Sequence, residues 1–189
     1  MIRSEHGVAV AHQQIWADLG VEEVASEVRW LTEPGWLTLQ VEAPTLCMMA
    51  TEIGGRCDFR ATPNQPVDGE YFGSGALALI GPGSPVVIHA AEMRQGRLCC
   101  FAFRAADAVY LSSTEITAVG RLQSRYMFRN ERIRTCAALL DGGRLRGDST
   151  AFVLSLSKAL FGAVLEMADG VVVTSQPKTT QTGDSVADV

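Results

Sequence analysis

Between residues 75 and 89 the chain reads Gly75-Ala-Leu-Ala-Leu-Ile-Gly-Pro-Gly-Ser-Pro-Val-Val-Ile-His89, two apolar runs of strand length on either side of a Gly-Pro-Gly-Ser-Pro break. Each run is too short for a helix and is bounded by residues that make turns, so the segment predicts strand, turn, strand. Pro82 and Pro85 lack the backbone N–H groups that a phosphate-binding loop supplies, and no Gly-Lys-Ser/Thr follows. The glycine-rich stretch is therefore a turn and not a nucleotide cradle.

The same cadence extends on both sides. Apolar and β-branched runs at 24–31, 36–41, 46–51, 56–62, 67–72, 75–80, 86–91 and 97–104 predict eight strands. Between them stand Glu33-Pro34-Gly35, Gly54-Gly55, Thr62-Pro63-Asn64, Gly81-Pro82-Gly83 and Gln95-Gly96. Asp68-Gly69 falls inside one run and marks a hairpin turn there. Ahead of the strands, Val8, Ala11, Ile15 and Leu19 recur at three- and four-residue steps. That spacing predicts a short amphipathic helix within an N-terminal arm, 1–23, capping the β domain (24–104) or a dimer partner.

From about Ala105 the periodicity turns helical. Ile133, Cys136, Ala137 and Leu140 share a face of a helix that ends at Gly142-Gly143, and Asp148 or Ser149 caps a longer one reaching about Ala168. The second helix carries Phe152, Leu156, Leu160, Ala163 and Met167 on one stripe, with Leu154, Phe161 and Leu165 beside it, more apolar surface than one packing face uses. Segment 105–169 is accordingly expected to pair with a second copy through Leu140 and the Phe152–Met167 stripe. Residues 170–189 lose periodicity and read as a disordered tail or linker.

This order of parts resembles the ligand-binding and dimerisation half of AraC-type transcription regulators. The Gly75–Pro85 stretch is similar to the family's strand that ends in a Pro-Gly turn, and Asp148-Ser149 before an apolar helix is similar to its last sensor helix. The resemblance covers roughly residues 24–168. It implies a mainly β fold, a cupin-like jelly-roll barrel followed by two α-helices forming a dimerisation hairpin. It further implies a small organic effector in the barrel, a homodimer, and a helix-turn-helix pair that the last twenty residues do not encode. Direct nucleic-acid binding by this chain alone is not expected, and the formal net charge of −5 agrees with that.

Metal-dependent cupin enzymes, oxygenases or isomerases, are the competing reading. They hold their ion with several histidines and a carboxylate. Here the histidines number three, His6 and His12 precede the expected barrel, and Val86 stands where the second cupin motif would put a ligand. No metal, cofactor or catalysis is therefore expected. A third reading is an interaction module without ligand. Ser155-Leu-Ser-Lys158 matches an Ser-x-x-Lys motif of acylating enzymes, but its companion motifs are absent.

Candidate effector-binding residues are those a barrel interior would collect: Trp30, Trp36, Phe59, Tyr71, Phe101 and Phe103 as apolar walls, His89 as a hydrogen-bonding group, and Arg56 as a grip on a carboxylate, with Arg60 beside it. Phe101 and Phe103 share one face and stand or fall together. Seven of fourteen arginines crowd into residues 121–146, the pattern of a solvated helical face. The five cysteines, Cys47, Cys57, Cys99, Cys100 and Cys136, lack a Cys-x-x-Cys spacing and read as reduced core thiols. Residues 1–20 lack a signal peptide's basic and apolar regions, and no long unbroken apolar run suggests a membrane span. A cytoplasmic protein is expected.

Overall fold

The computed structural model describes residues 2–6, 8–18, 20–30, 35–53, 57–60, 75–83, 85–90, 95–145 and 147–174. Among these residues, ten strands form two antiparallel sheets. The first holds β1 (Ile2–His6), β4 (Gly35–Leu39), β8 (Val86–Ala90) and β6 (Cys57–Arg60), in the order β1-β4-β8-β6. The second holds β10 (Arg125–Phe128), β7 (Leu77–Ile80), β5 (Thr45–Ile53), β9 (Gln95–Phe103), β3 (Val21–Trp30) and β2 (Val8–Asp18), in the order β10-β7-β5-β9-β3-β2.

Strand alternation creates two cores. Leu37, Leu39, Val86 and Ile88 of the small sheet meet Cys47, Met49, Ala78, Ile80, Leu98 and Cys100 of the large one, filling the space between the sheets. The opposite face of the large sheet presents Val21, Ala25, Leu46, Met48, Leu77, Leu79, Cys99, Phe101 and Phe103 to helices. This explains why β7 is apolar without interruption: all four of its residues are buried, Leu77 and Leu79 toward the helices, Ala78 and Ile80 toward the other sheet. A strand covered on both faces has no position for a polar residue.

Three α-helices cover the outer face: α1 (Ser113–Gly120), α2 (Glu131–Leu145) and α3 (Thr150–Thr174). Asn130 Oδ1 accepts from the Ile133 N–H at 3.1 Å and starts α2, and Ser149 Oγ accepts from the Phe152 N–H at 3.4 Å at the start of α3. Phe161 of α3 packs against Phe103 at 4.9 Å between ring centroids and against Tyr110 edge-on at 5.8 Å. Residues 150–168 have a mean hydropathy of 1.6 and by length and composition could cross a bilayer, contrary to the sequence expectation. In the structure Val153, Leu160, Phe161, Ala163 and Val164 are buried against the rest of the chain.

Several expectations are corrected. The 8–19 helix is instead β2, paired with β3 from Val8↔Trp30 to Asp18↔Val21. A register shift between Gln14 and Trp16 breaks the two-residue alternation, and that break mimics a helical step in the sequence. Residues 125–128, expected within a helical region, form β10 and extend the large sheet. α2 does not stop at Gly142-Gly143 but runs on to Leu145. Each glycine costs about 1 kcal/mol in a helix interior, and the packing of Ile133, Ala137 and Leu140 outweighs it. The reversal comes later, at Gly147 with φ +70°. α3 reaches Thr174, into the expected tail. The strand expected at 67–72 lies outside the described residues.

Candidate functional site

At the end of the large sheet where β3 begins and β9 ends, the chain leaves a cavity of about 670 Å³. Its inner wall is Val24, Thr45, Cys100, Ala102 and Phe103; Val41, Ala43 and Pro44 and the Pro82 turn form one side, and Ala105, Ile116, Val119 and Gly120 the other. Ligand pockets in proteins run to about 300–1,000 Å³. Apart from Phe103, the strand residues of the wall are small or medium-sized, which leaves the space open. On β9 the alternation puts Cys100 and Ala102 on this side and Phe101 and Phe103 on the helical side, so the bulky residues of the strand fill the other core.

The rim is charged. Arg104 Nη2 pairs with Glu22 Oε2, and Glu42 and Asp107 stand on the same lining. Backbone bonds hold these groups in place: the Arg104 N–H donates to the Gly20 carbonyl at 2.8 Å and the Phe103 N–H to the Pro44 carbonyl at 2.8 Å. The turn at Pro82 is fixed from two sides, the Gly81 N–H donating to Ser124 Oγ at 2.9 Å and the Gly83 N–H to the Val41 carbonyl at 3.2 Å. α1 is locked by a capping box in which Ser112 and Glu115 exchange bonds, and it presents Ile116, 36% exposed, toward the opening. The arrangement can enclose an apolar molecule and offer its polar end an arginine and carboxylates.

The expected binding residues are dispersed. Phe101 is fully buried beneath the helices. Phe103 is also buried there, and it lines the cavity as well. They do not stand or fall together as cavity walls. Trp36 alternates with Leu37 and Leu39, which are buried between the sheets, and so lies on the outer face of the small sheet. His89 is its register partner on β8, Phe59 pairs with Ile88, and Trp30 pairs with Val8 at the far end of β3. Arg60 ends β6, while Arg56 and Tyr71 lie outside the described residues. Arg104 is the arginine at the cavity. It follows the Phe-Ala-Phe alternation directly, and its signal in the sequence was the run of small residues Cys100 and Ala102 leading to it.

The dimer stripe is largely used within the chain. Leu140, Leu160 and Ala163 are buried, and Leu156 and Met167 pack partly against the same core. Among the described side chains of α2 and α3, Phe152, 41% exposed, and Leu139, 38% exposed, are the large apolar ones left open. In the Ser-x-x-Lys stretch, Ser155 Oγ donates back to the Ala151 carbonyl at 2.9 Å and the Lys158 ammonium lies 5.3 Å from the Tyr110 ring centroid, the contacts of an ordinary helix surface. Of the crowded arginines, Arg132 pairs with Glu166 and Arg134 with Glu131 at exposed positions.

A second polar group lies between the large sheet and α2. Donor atoms of Glu23, Cys99 and Asp141 fall within 4.8 Å of one another. It does not fit a metal ion. Arg97 is ion-paired with Asp141 and already supplies the positive charge that a cation would bring, and burial pushes the Cys99 thiol up. The cluster joins sheet to helix.

No family model matches the chain, and no curated protein matches it. Among solved structures, the AraC-like transcriptional activator CuxR aligns with 96% of this chain at a TM-score of 0.45 and 11% identity, and this chain spans 64% of that one. A Salmonella typhimurium protein assigned to ethanolamine utilization aligns with 52% of this chain and 70% of its own at a TM-score of 0.33 and 12% identity. The cavity, not these likenesses, supports the functional reading that follows.

Proposed function

We propose that this chain is the sensor module of an AraC-type regulator, a cupin-like jelly roll that binds a small organic effector and releases it unchanged. The observation that carries this reading is the cavity of about 670 Å³, apolar and small-residued within and ringed by the Arg104–Glu22 pair, Glu42 and Asp107. The effector is held between α1 and the Pro82 turn, which stand on opposite sides of the opening. The signal passes along β3, where Glu22 faces the cavity and the next residue, Glu23, faces α2 beside Cys99 and Asp141. Dimerisation runs through the outer faces of α2 and α3 at Leu139 and Phe152.

A thermal-shift screen of metabolite-sized organic acids, amines and aromatics tests the reading. A ligand present at a hundred times its Kd stabilises the native state by about 2.7 kcal/mol. Ala102→Trp, which fills the cavity, is expected to abolish that shift while leaving the fold intact by circular dichroism. Sedimentation of wild type and of Leu139→Ser/Phe152→Ser, with and without the ligand, reads the dimer. An effector whose stabilisation survives Ala102→Trp would overturn the assignment of this cavity.

A further inference from the structure

Cys47 of β5 and Cys100 of β9 are register partners, and their Sγ atoms lie 3.4 Å apart. We propose that they form an oxidation site at the floor of the cavity, converted to a disulfide by a peroxide that enters through the opening. This goes beyond effector sensing and does not depend on it.

The geometry suits a cross-strand bond. Directly opposed residues on antiparallel strands have Cα atoms about 4.5–5.5 Å apart, within the range that disulfides span, so the backbone need not move. Bond formation brings the sulfurs together by about 1.4 Å, a side-chain rotation, from the 3.4 Å contact to the S–S length of about 2.05 Å. On its other side Cys47 pairs in register with Ala78 of β7, which carries only a methyl side chain. Cys99, although adjacent in sequence, points to the helical face and takes no part.

The two thiols differ in access, and that sets the order of events. Cys100 lines the cavity; Cys47 lies fully buried behind it. The Cys100 thiol gives up its proton and its sulfur attacks one peroxide oxygen; the O–O bond breaks, the departing hydroxide takes up that proton and leaves as water, and Cys100 becomes a sulfenic acid. Cys47 sulfur then attacks the Cys100 sulfur, the S–O bond breaks, and the departing hydroxide leaves as water with the Cys47 proton. Two thiols lose two electrons and hydrogen peroxide becomes two waters. The hydrogen bond with Cys100, together with burial, holds the Cys47 thiol above its ordinary pKa, so Cys47 gives up its proton only as its sulfur attacks.

The test uses the reduced full chain, a pulse of hydrogen peroxide, alkylation of the remaining thiols, and peptide mass mapping. The expected result is loss of two of the five thiols, with one intramolecular cross-link joining the Cys47 and Cys100 peptides. Cys47→Ser should leave Cys100 as a sulfenic acid that dimedone captures, and Cys100→Ser should leave Cys47 reduced. The wild-type map is informative even if a variant folds poorly. A cross-link involving Cys99, one between chains only, or Cys47 and Cys100 both still reduced after the pulse would overturn the proposal.

Discussion

Arg97 of β9 and Asp141 of α2 form an ion pair across the interface between the large sheet and the helices, with side chains only 16% and 14% exposed. Burial alone would lower the basicity of the guanidinium, but its bond to Asp141 more than offsets this and holds it charged. Asp141→Ala strands that charge beneath α2 and is expected to cost about 2–3 kcal/mol, read from the midpoint of urea unfolding. Replacing both partners by apolar residues, Arg97→Met with Asp141→Leu, is expected to recover most of the loss. A double variant as unstable as Asp141→Ala would show that the pair does more than neutralise itself.

Gly20 carries a comparable load by having no side chain. Its φ is +81°, and a Cβ there would overlap the Ala108 side chain and stand 2.8 Å from the Ala108 Cα. Gly20→Ala therefore combines left-handed strain with a backbone clash, and a loss of about 2–4 kcal/mol is expected in thermal or urea unfolding. Because Ala105 lines the cavity and the Gly20 carbonyl holds Arg104, effector affinity should fall with stability. Gly83, also at positive φ, has nothing within 4 Å of its missing Cβ, so Gly83→Asn is expected to cost much less.

What the sequence disclosed follows the same physics. The strands from 75 to 104 were legible because short apolar runs stand between Gly-Pro breaks, and β7 was most legible because both its faces are buried. β2 was not, since the irregularity at Ile15 erased its alternation. α2 and α3 showed by period and α1 did not, but a period cannot say which neighbour covers a face: Leu160 and Ala163 could equally have met a second copy or, as they do, their own chain. The site was least legible. Large aromatics mark cores, whereas this cavity is made by Ala102, Cys100 and Ala105, residues whose contribution is the volume they do not occupy.

α1 depends on its cap. The Glu115 carboxylate accepts from the Ser112 hydroxyl at 2.6 Å and from the Ser112 N–H at 2.7 Å, which holds its pKa below the usual 4.5. A carboxyl depressed in the folded state stabilises the fold above its unfolded pKa, and that contribution disappears as pH falls through the folded value. Carboxyl NMR titration of Glu115 should therefore show a midpoint below 4.5 in wild type and a return toward it in Ser112→Ala. That variant should also fray α1 at a cost of about 1 kcal/mol, loosening the Ile116–Gly120 side of the cavity.

Tyr110 predicts the opposite sign at the other end of the pH scale. Its hydroxyl is buried and makes no hydrogen bond among the described residues, while its ring rests against Phe161 and beneath the Lys158 ammonium. Tyr110→Phe removes an unsatisfied polar atom and keeps the ring contacts, so stability should stay level or rise by about 1 kcal/mol. Burial also pushes the phenol from 10 up to about 12. The folded state resists ionisation that the unfolded chain undergoes freely, so this group's contribution is intact below pH 10 and is lost as pH rises toward 12. Wild type should lose Tm more steeply than Tyr110→Phe across that window. Parallel melting curves for the two proteins between pH 10 and 12 would place the hydroxyl outside the core.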